Sequence, residues 1–90
     1  MIKKNGYEFI CTCSACPEQY DVFRDGEQIA YVRKRWGNLA VNPVKNGKII
    51  FGTVIYSETE GDAYAGTIDN IDETIDNIIE AIERANTEEA

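Results

Sequence analysis

Residues 26–37 read GEQIAYVRKRWG, and this stretch determines the fold that we predict. It lies between two turn signals, Asp25-Gly26 and Gly37-Asn38. Asp-Gly between two strand-like segments is a strong hairpin signal, because a type I′ turn needs positive φ at both central residues. The stretch is therefore predicted to be a central strand of an antiparallel sheet. It also holds the only tryptophan and three consecutive cations in a chain whose net charge is −7.

Alternating patterns on both sides of this stretch extend the prediction to a meander. Turn-forming residues separate strand-like segments at about 7–13, 19–24, 27–36, 39–44 and 48–56. Residues 57–68 are polar and contain glycine, which is typical of a loop. Isoleucines at helical spacing then predict an amphipathic helix at about 70–85. Residues 1–90 are thus predicted to form a single α+β domain, an antiparallel β-meander of four to five strands with one C-terminal helix packed on one face.

Counting outward from two-residue turns predicts the strand pairing, and hence which side chains share a face of this sheet. Around Asp25-Gly26 it pairs Phe23 with Gln28, Val22 with Ile29 and Tyr20 with Tyr31. The face under the helix would collect Ala30, Val32, Trp36, Leu39, Val41, Ile50, Val54 and Tyr56, with Phe23 at its edge. The opposite face would collect Tyr20, Tyr31, Arg33, Arg35, Asn42, Phe51 and Ile55. No remaining segment is expected to cover this second face. An uncovered apolar patch on a small protein usually marks an interface, so we expect self-association.

The uncovered face contains the most promising binding site. Arg33 and Arg35 alternate along one strand, which separates them by about 7 Å. Two guanidinium groups at that spacing can hold a phosphate or carboxylate, and a neighbouring ring can stack on a base. The predicted ligand is therefore an anionic, nucleotide-like small molecule, and the predicted ligand-binding residues are Arg33, Arg35, Tyr31, Tyr20 and Asn42. Two cations suit a small anion better than a duplex backbone, so no direct nucleic-acid binding is expected.

A purely structural role for these arginines is the alternative. They can stack on the tyrosine rings of the bare sheet. They can also form ion pairs with nearby carboxylates, namely those of Glu8, Glu18 or Asp21. The intervening Lys34 is predicted on the side under the helix, where its stem covers apolar surface and its ammonium group reaches out to the acidic helix.

Cys11 and Cys13 are predicted on one side of the first strand, and together with Cys16 they form a C-x-C-x-x-C pattern. Structural zinc takes four Cys or His ligands, and the chain has no histidine. The fourth ligand would then be a carboxylate such as Glu18, or a cysteine of another chain. We favour reduced thiols that pack as small hydrophobic groups, and hence no cofactor, with a small zinc-binding structural module as an alternative.

The C-terminal third of the chain carries most of the negative charge. Residues 57–90 hold eleven of the sixteen acidic residues and one basic residue, Arg84. Asp72, Asp76 and Glu80 recur at helical spacing beside the isoleucines. Such a row can occupy the basic groove of a protein, so a protein–protein inhibitor that is anti-CRISPR-like or mimics nucleic acid is a second functional hypothesis. A solvated helix face explains the same row without a partner.

The patterns of common enzymes are missing from the sequence. It has no histidine for general base chemistry, no nucleophile elbow and no phosphate-binding glycine loop, so we predict a protein that is not an enzyme. No apolar run approaches the roughly 20 residues of a membrane span. Lys3 and Lys4 are not followed by an apolar segment, as they would be in a signal peptide. We therefore expect a cytoplasmic location and no membrane partner.

Residues 17–43 contain PEQYDVF, then Asp25-Gly26, then YVRKRWG and Val41. This segment resembles small proteins encoded by phages and mobile elements. The resemblance implies a setting, because small, acidic, non-enzymatic phage proteins are often inhibitors of host defence. Some bind a defence nuclease and others sequester a nucleotide signal. The resemblance therefore favours an anti-defence role in the host cytoplasm, against a nucleotide-like signal or a host defence protein, and it carries over no functional residues.

Overall fold

The computed structural model describes residues 1–13, 18–35, 37–59 and 71–89, which form one antiparallel sheet and one helix. The strands are β1 (Ile2–Lys4), β2 (Tyr7–Cys13), β3 (Glu18–Arg24), β4 (Glu27–Arg35), β5 (Asn38–Lys45), β6 (Lys48–Ile49) and β7 (Tyr56–Thr59), and the helix is α1 (Ile71–Glu89). Strands β1 to β6 are neighbours in chain order, and β7 pairs with β5. The predicted meander with one C-terminal helix packed on it is confirmed.

Three of the hairpin turns share one backbone conformation. Asn5, Asp25 and Asn46 all have positive φ, and each is followed by a glycine whose φ is also positive. This is the conformation of a type I′ turn, which matches the twist of the strands it joins. The prediction missed the turn after Asn5, and therefore missed β1, although Asn5-Gly6 carries the same signal.

The predicted last strand, 48–56, is wrong, because the chain leaves the sheet after Ile49. The cause is Pro43, which lies in β5 at the next hydrogen-bonding position. Its carbonyl accepts from the Ile50 amide at 2.9 Å, but proline has no N–H to return. The Ile50 carbonyl accepts from Thr53 at 3.2 Å instead, and the Ile55 amide then rejoins β5 at the Val41 carbonyl, at 2.9 Å.

Strand β7 takes the place that the rest of the predicted strand would have filled. Tyr56 lies opposite Val41, which is four residues out of step with the pairing of Val44 and Ile49. Residues 57–59, predicted as the start of a loop, therefore belong to β7, whereas 60–68 lie outside the described residues. The helix begins at Ile71, close to the predicted start, and runs four residues beyond the predicted end to Glu89.

A bulge in the β3–β4 hairpin changes the predicted faces. Phe23 pairs with Gln28 as predicted, but Val22 pairs with Ala30 instead of Ile29. Ile29 is the extra residue, so every β3 residue farther from the turn is displaced by one. A displacement of one residue exchanges the faces of a strand. Tyr20 therefore lies opposite Val32, under the helix, and the prediction that it lies opposite Tyr31 is wrong.

The pairing of β4 with β5 differs by two residues from the predicted pairing. Arg35 pairs with Asn38, so the connection is 36–37 instead of 37–38. A displacement of two keeps each side chain on its predicted face. Val32 and Leu39 are accordingly buried, as predicted, with Ala30 and Val41. The predicted burial of Trp36 concerns a residue outside the described part of the chain.

The core lies between the sheet and α1. It contains Tyr7, Phe9, Tyr20, Val22, Ala30, Val32, Leu39, Val41, Ile75, Ile78, Ile79 and Ile82. The four isoleucines confirm the predicted apolar stripe, and full burial of each contributes roughly 1.5–3 kcal/mol. Ile50 and Val54, predicted in this core, are 37% and 53% exposed because they belong to the segment that leaves the sheet. Ile55, predicted on the opposite face, packs against the core instead.

Lys34 is also part of this interior. It is fully buried, so its ammonium group does not reach out to the helix surface as predicted. Glu18 lies directly opposite it on β3 and is 8% exposed. The Tyr20 hydroxyl donates to the Glu18 carboxylate at 2.5 Å. A carboxylate beside a buried cation offsets part of the cost of removing both from water.

None of the helices among the described residues is long and apolar enough to cross a membrane.

Candidate ligand-binding face

The sheet surface opposite α1 is called the open face below. Its central row runs across four strands, because Ile10 pairs with Asp21, Asp21 with Tyr31, and Tyr31 with Asn42. The next row contains Gln19, Arg33 and Ala40. The open face thus includes Ile10, Gln19, Asp21, Tyr31, Arg33, Ala40 and Asn42.

The segment 50–55 contacts this face through Phe51 and Thr53. The rings of Tyr31 and Phe51 meet edge-on, with centroids 6.3 Å apart and planes at 83°. The side-chain amide of Asn42 donates to the carbonyl of Thr53 at 2.8 Å and, more weakly, to that of Phe51 at 3.5 Å. Asn42 is 6% exposed. Its amide therefore holds the segment, and its predicted place in the ligand site becomes a supporting one.

Arg33 provides the cation of the open face. It is half-buried, and in the described part of the chain its guanidinium group forms no ion pair. Burial raises the pKa of Tyr31, the nearby Arg33 charge lowers it, and the Asp21 carboxylate raises it. The phenol thus lies within the fields of one cation and one anion. The net pKa of Tyr31 is above its usual value, so the hydroxyl is neutral at physiological pH.

One other predicted ligand residue stands apart from this centre. Tyr20 lies on the helix side, where burial and then its bond to Glu18 raise its pKa well above the usual value. It cannot act together with Tyr31 from there. Arg35 ends β4, where its backbone pairs with Asn38, and its side chain lies outside the described part of the structure. Among the side chains that the structure describes, it therefore brings together Tyr31, Arg33 and Asn42.

The cysteine pattern is divided by a second bulge. Cys11 pairs with Tyr20 and Cys13 with Gln19, which are consecutive residues of β3. The two thiols are therefore directed to opposite faces, and the predicted common side for Cys11 and Cys13 is wrong. Cys16, the third candidate ligand, lies outside the described residues. Within those residues no group of three Cys, His, Asp or Glu could hold a metal ion.

The acidic row of α1 is exposed at Asp72, Asp76 and Glu80. Two of these carboxylates have cations of this chain beside them. The Lys4 ammonium group contacts Asp76 at 2.5 Å, and the Arg84 guanidinium contacts Glu80 at 2.8 Å. The row is therefore less negative than its sequence indicates.

Sequence reasoning missed two contributors to the open face. Asp21 was considered only as an ion-pair partner, although its pairing with Tyr31 places it in the central row. The packing of 50–55 was missed because its signal was Pro43, whose absent N–H interrupts the predicted ladder. Phe51 is predicted on the same face as Tyr31, as a strand residue, and it reaches the Tyr31 ring from the segment that leaves the sheet.

The chain matches no protein-family model, and neither curated proteins nor solved structures give a significant match. The chemistry of the open face is therefore the basis for assigning a function.

Proposed function

We propose that this protein is a non-catalytic binding protein whose open face takes a small anionic ligand that also has an aromatic ring, as a nucleotide does. The observation that carries the proposal is the position of Arg33 beside the Tyr31–Phe51 ring pair. Within the described residues the Arg33 guanidinium group forms no ion pair, and such a group can make charge-assisted hydrogen bonds to a phosphate. The adjacent rings offer a surface on which a base can stack.

The energetics favour a ligand that uses both features. An exposed ion pair alone contributes only about 0–1 kcal/mol. Stacking of a base on an aromatic side chain contributes about 1–3 kcal/mol. Phe51 is 61% exposed and is fixed against Tyr31, so little side-chain freedom would be lost on binding. A nucleotide is therefore favoured over a simple anion.

The biological setting remains part of the proposal. The resemblance of residues 17–43 to small phage proteins supports an anti-defence role in a host cytoplasm, in which the ligand is a nucleotide signal of the host. Capture of such a signal needs no catalytic group, only a binding surface present in sufficient amount.

Thermal shift and isothermal titration calorimetry with mononucleotides, cyclic dinucleotides and ADP-ribose-type compounds test the proposal. We expect at least one nucleotide to raise the melting temperature, and Arg33→Gln and Tyr31→Leu each to weaken its binding by about tenfold or more. Lys48→Gln is the matched control, because Lys48 is an exposed cation at the start of β6. Binding by no nucleotide, or equal losses for Arg33→Gln and Lys48→Gln, would overturn it.

The acidic row of α1 supports the second hypothesis, a protein–protein inhibitor, less well. Its Asp76 and Glu80 carboxylates are already engaged by Lys4 and Arg84. Charge reversal at Asp72, Asp76 and Glu80 distinguishes the two hypotheses, because it should leave nucleotide binding unchanged. The zinc-binding module is tested by metal analysis of the purified protein, in which stoichiometric zinc would support it.

A further inference from the structure

Three large apolar side chains are exposed on the segment that packs onto the open face. Phe51 is 61%, Val54 53% and Ile50 37% exposed. We call these three residues the apolar ridge. The segment is held by backbone hydrogen bonds from Ile50, Thr53 and Ile55 and by the Asn42 side chain. The ridge is thus a fixed feature, and exposed apolar patches on small proteins mark docking surfaces.

Opposite charges lie on both sides of Tyr31, the residue that Phe51 of the ridge contacts. Asp21 is directly across from Tyr31, and Arg33 is two residues farther along β4. Diagonal neighbours of this kind are about 7–8 Å apart. Among the described residues neither side chain forms an ion pair. The open face therefore carries the Asp21 carboxylate and the Arg33 guanidinium group, which suit a partner with the reverse arrangement.

A second copy of this chain has that reverse arrangement. Two open faces can pack together about a twofold axis that lies in the plane between them. This axis crosses the line from Asp21 to Arg33 at its midpoint and at a right angle. Each Asp21 then meets the Arg33 of the other copy, and the contact occurs twice, as symmetry requires. Tyr31 is about 5 Å from Asp21 across the strands and about 7 Å from Arg33 along β4. It therefore lies close to the axis, where its ring meets its symmetry mate.

A stable dimer needs only a modest part of the protein's surface. A standard interface removes about 800 Å² from each partner. The protein exposes 5548 Å², so such an interface needs about a seventh of its surface. The contact would bury Phe51 and its exposed neighbours together with the two charges. Aromatic and arginine side chains are the residues that contribute most at the centres of interfaces.

We propose that the open face binds a second copy of this chain in a twofold-symmetric dimer, held by the apolar ridge and by reciprocal Asp21–Arg33 ion pairs. Asp21 of the second copy then pairs with Arg33, the cation that the ligand would use. Dimerisation and ligand binding compete for Arg33, so the dimer is a closed state that a nucleotide opens. This competition rests on the proposed function, whereas the dimer itself does not.

Complementary charge reversals test the dimer by analytical ultracentrifugation. Arg33→Asp places Asp21 against an aspartate in the second copy, and Asp21→Arg places two arginines together. We expect the unaltered protein to dimerise and each variant alone to dimerise at least about 100-fold more weakly, because like charges are opposed in a desolvated contact. An equimolar mixture of the two variants restores both ion pairs, so it should form a heterodimer of near-normal affinity.

Circular dichroism melts confirm that both variants fold, and Phe51→Ser weakens the dimer without altering charge. A monomeric unaltered protein at its solubility limit would overturn the proposal. So would variants that remain dimeric alone, or a mixture that stays monomeric. A nucleotide that binds but leaves the dimer intact overturns the competition only. If no nucleotide binds while the mixture dimerises, the proposed function fails and the dimer stands.

Discussion

Glu18 and Lys34 lie directly opposite each other on β3 and β4, and both side chains are buried beneath α1. Glu18→Gln should therefore destabilise the protein by about 3–5 kcal/mol, because it leaves a buried cation without its facing carboxylate. Urea unfolding measures the loss. Glu27→Gln is the control, since Glu27 is an exposed carboxylate of the same sheet and should change stability by less than about 0.5 kcal/mol.

The double variant Glu18→Gln/Lys34→Met tests the coupling between the two sites. It removes both charges together, so its cost should be lower than the sum of the single costs by more than about 1 kcal/mol. Additive single costs would show that the two charges do not interact across the strands.

Tyr56 makes the stability of the protein depend on pH in the alkaline range. Burial, followed by its hydrogen bond to Glu58 at 2.6 Å, raises the pKa of Tyr56 to about 12 from the usual 10.0. The unfolded chain loses this proton first, so stability is complete below pH 10 and falls between pH 10 and 12. Tyr56→Phe should flatten this part of the profile, by on the order of 2 kcal/mol. Urea melts of both proteins across that range supply the measurement, and parallel profiles would refute the assignment.

Asn42 joins the segment 50–55 to the sheet. Asn42→Ala removes the donor to Thr53 and leaves a carbonyl that water must satisfy, which should cost about 1–2 kcal/mol. Hydrogen exchange at the Thr53 and Ile55 amides should accelerate, because their segment opens more readily. Asn38→Ala is the matched control, since Asn38 is exposed. Equal acceleration in both variants would contradict this role.

Lys4 and Asp76 form a half-exposed ion pair that joins β1 to the helix. Their coupling free energy in a double-mutant cycle of Lys4→Gln and Asp76→Asn should be about 0.2–1 kcal/mol at low salt. It should shrink in concentrated NaCl, because mobile ions screen exposed charges. A coupling that is unchanged by salt would indicate that the pair is more deeply desolvated than its exposure implies.

The parts of the fold that were predictable have local causes. Asp25-Gly26 specifies its own turn, and the helix follows from isoleucines at a fixed period. The Asn5-Gly6 turn could have been predicted by the same rule. The break after Ile49 could also have been found by counting from Asn46-Gly47, because that count puts Pro43 at a position that needs an N–H.

The bulge at Ile29 could not be predicted in this way. Nothing in its immediate neighbours marks a bulge, since no glycine or proline is near it in β4. It is required by the whole core, because Tyr20 and Val22 must join Tyr7 and Phe9 beneath α1. The composition of the candidate site depended on this one residue. Tyr31 and Arg33 lie on the predicted face because the faces are assigned relative to their own strand, β4. Tyr20 lies on the opposite face from the predicted one.

The Asn-Gly and Asp-Gly turns also bear on the order in which the protein folds. Strands β1 to β5 each pair with a neighbour in sequence, so their loops close at low entropic cost. The isoleucines of α1 share one core with residues of β2 and β3 that lie far away in the chain. We expect helix docking to follow the rate-limiting step, so Ile78→Val should speed unfolding, whereas Val22→Ala should slow refolding. Stopped-flow kinetics in which Ile78→Val mainly slowed refolding would reverse this order.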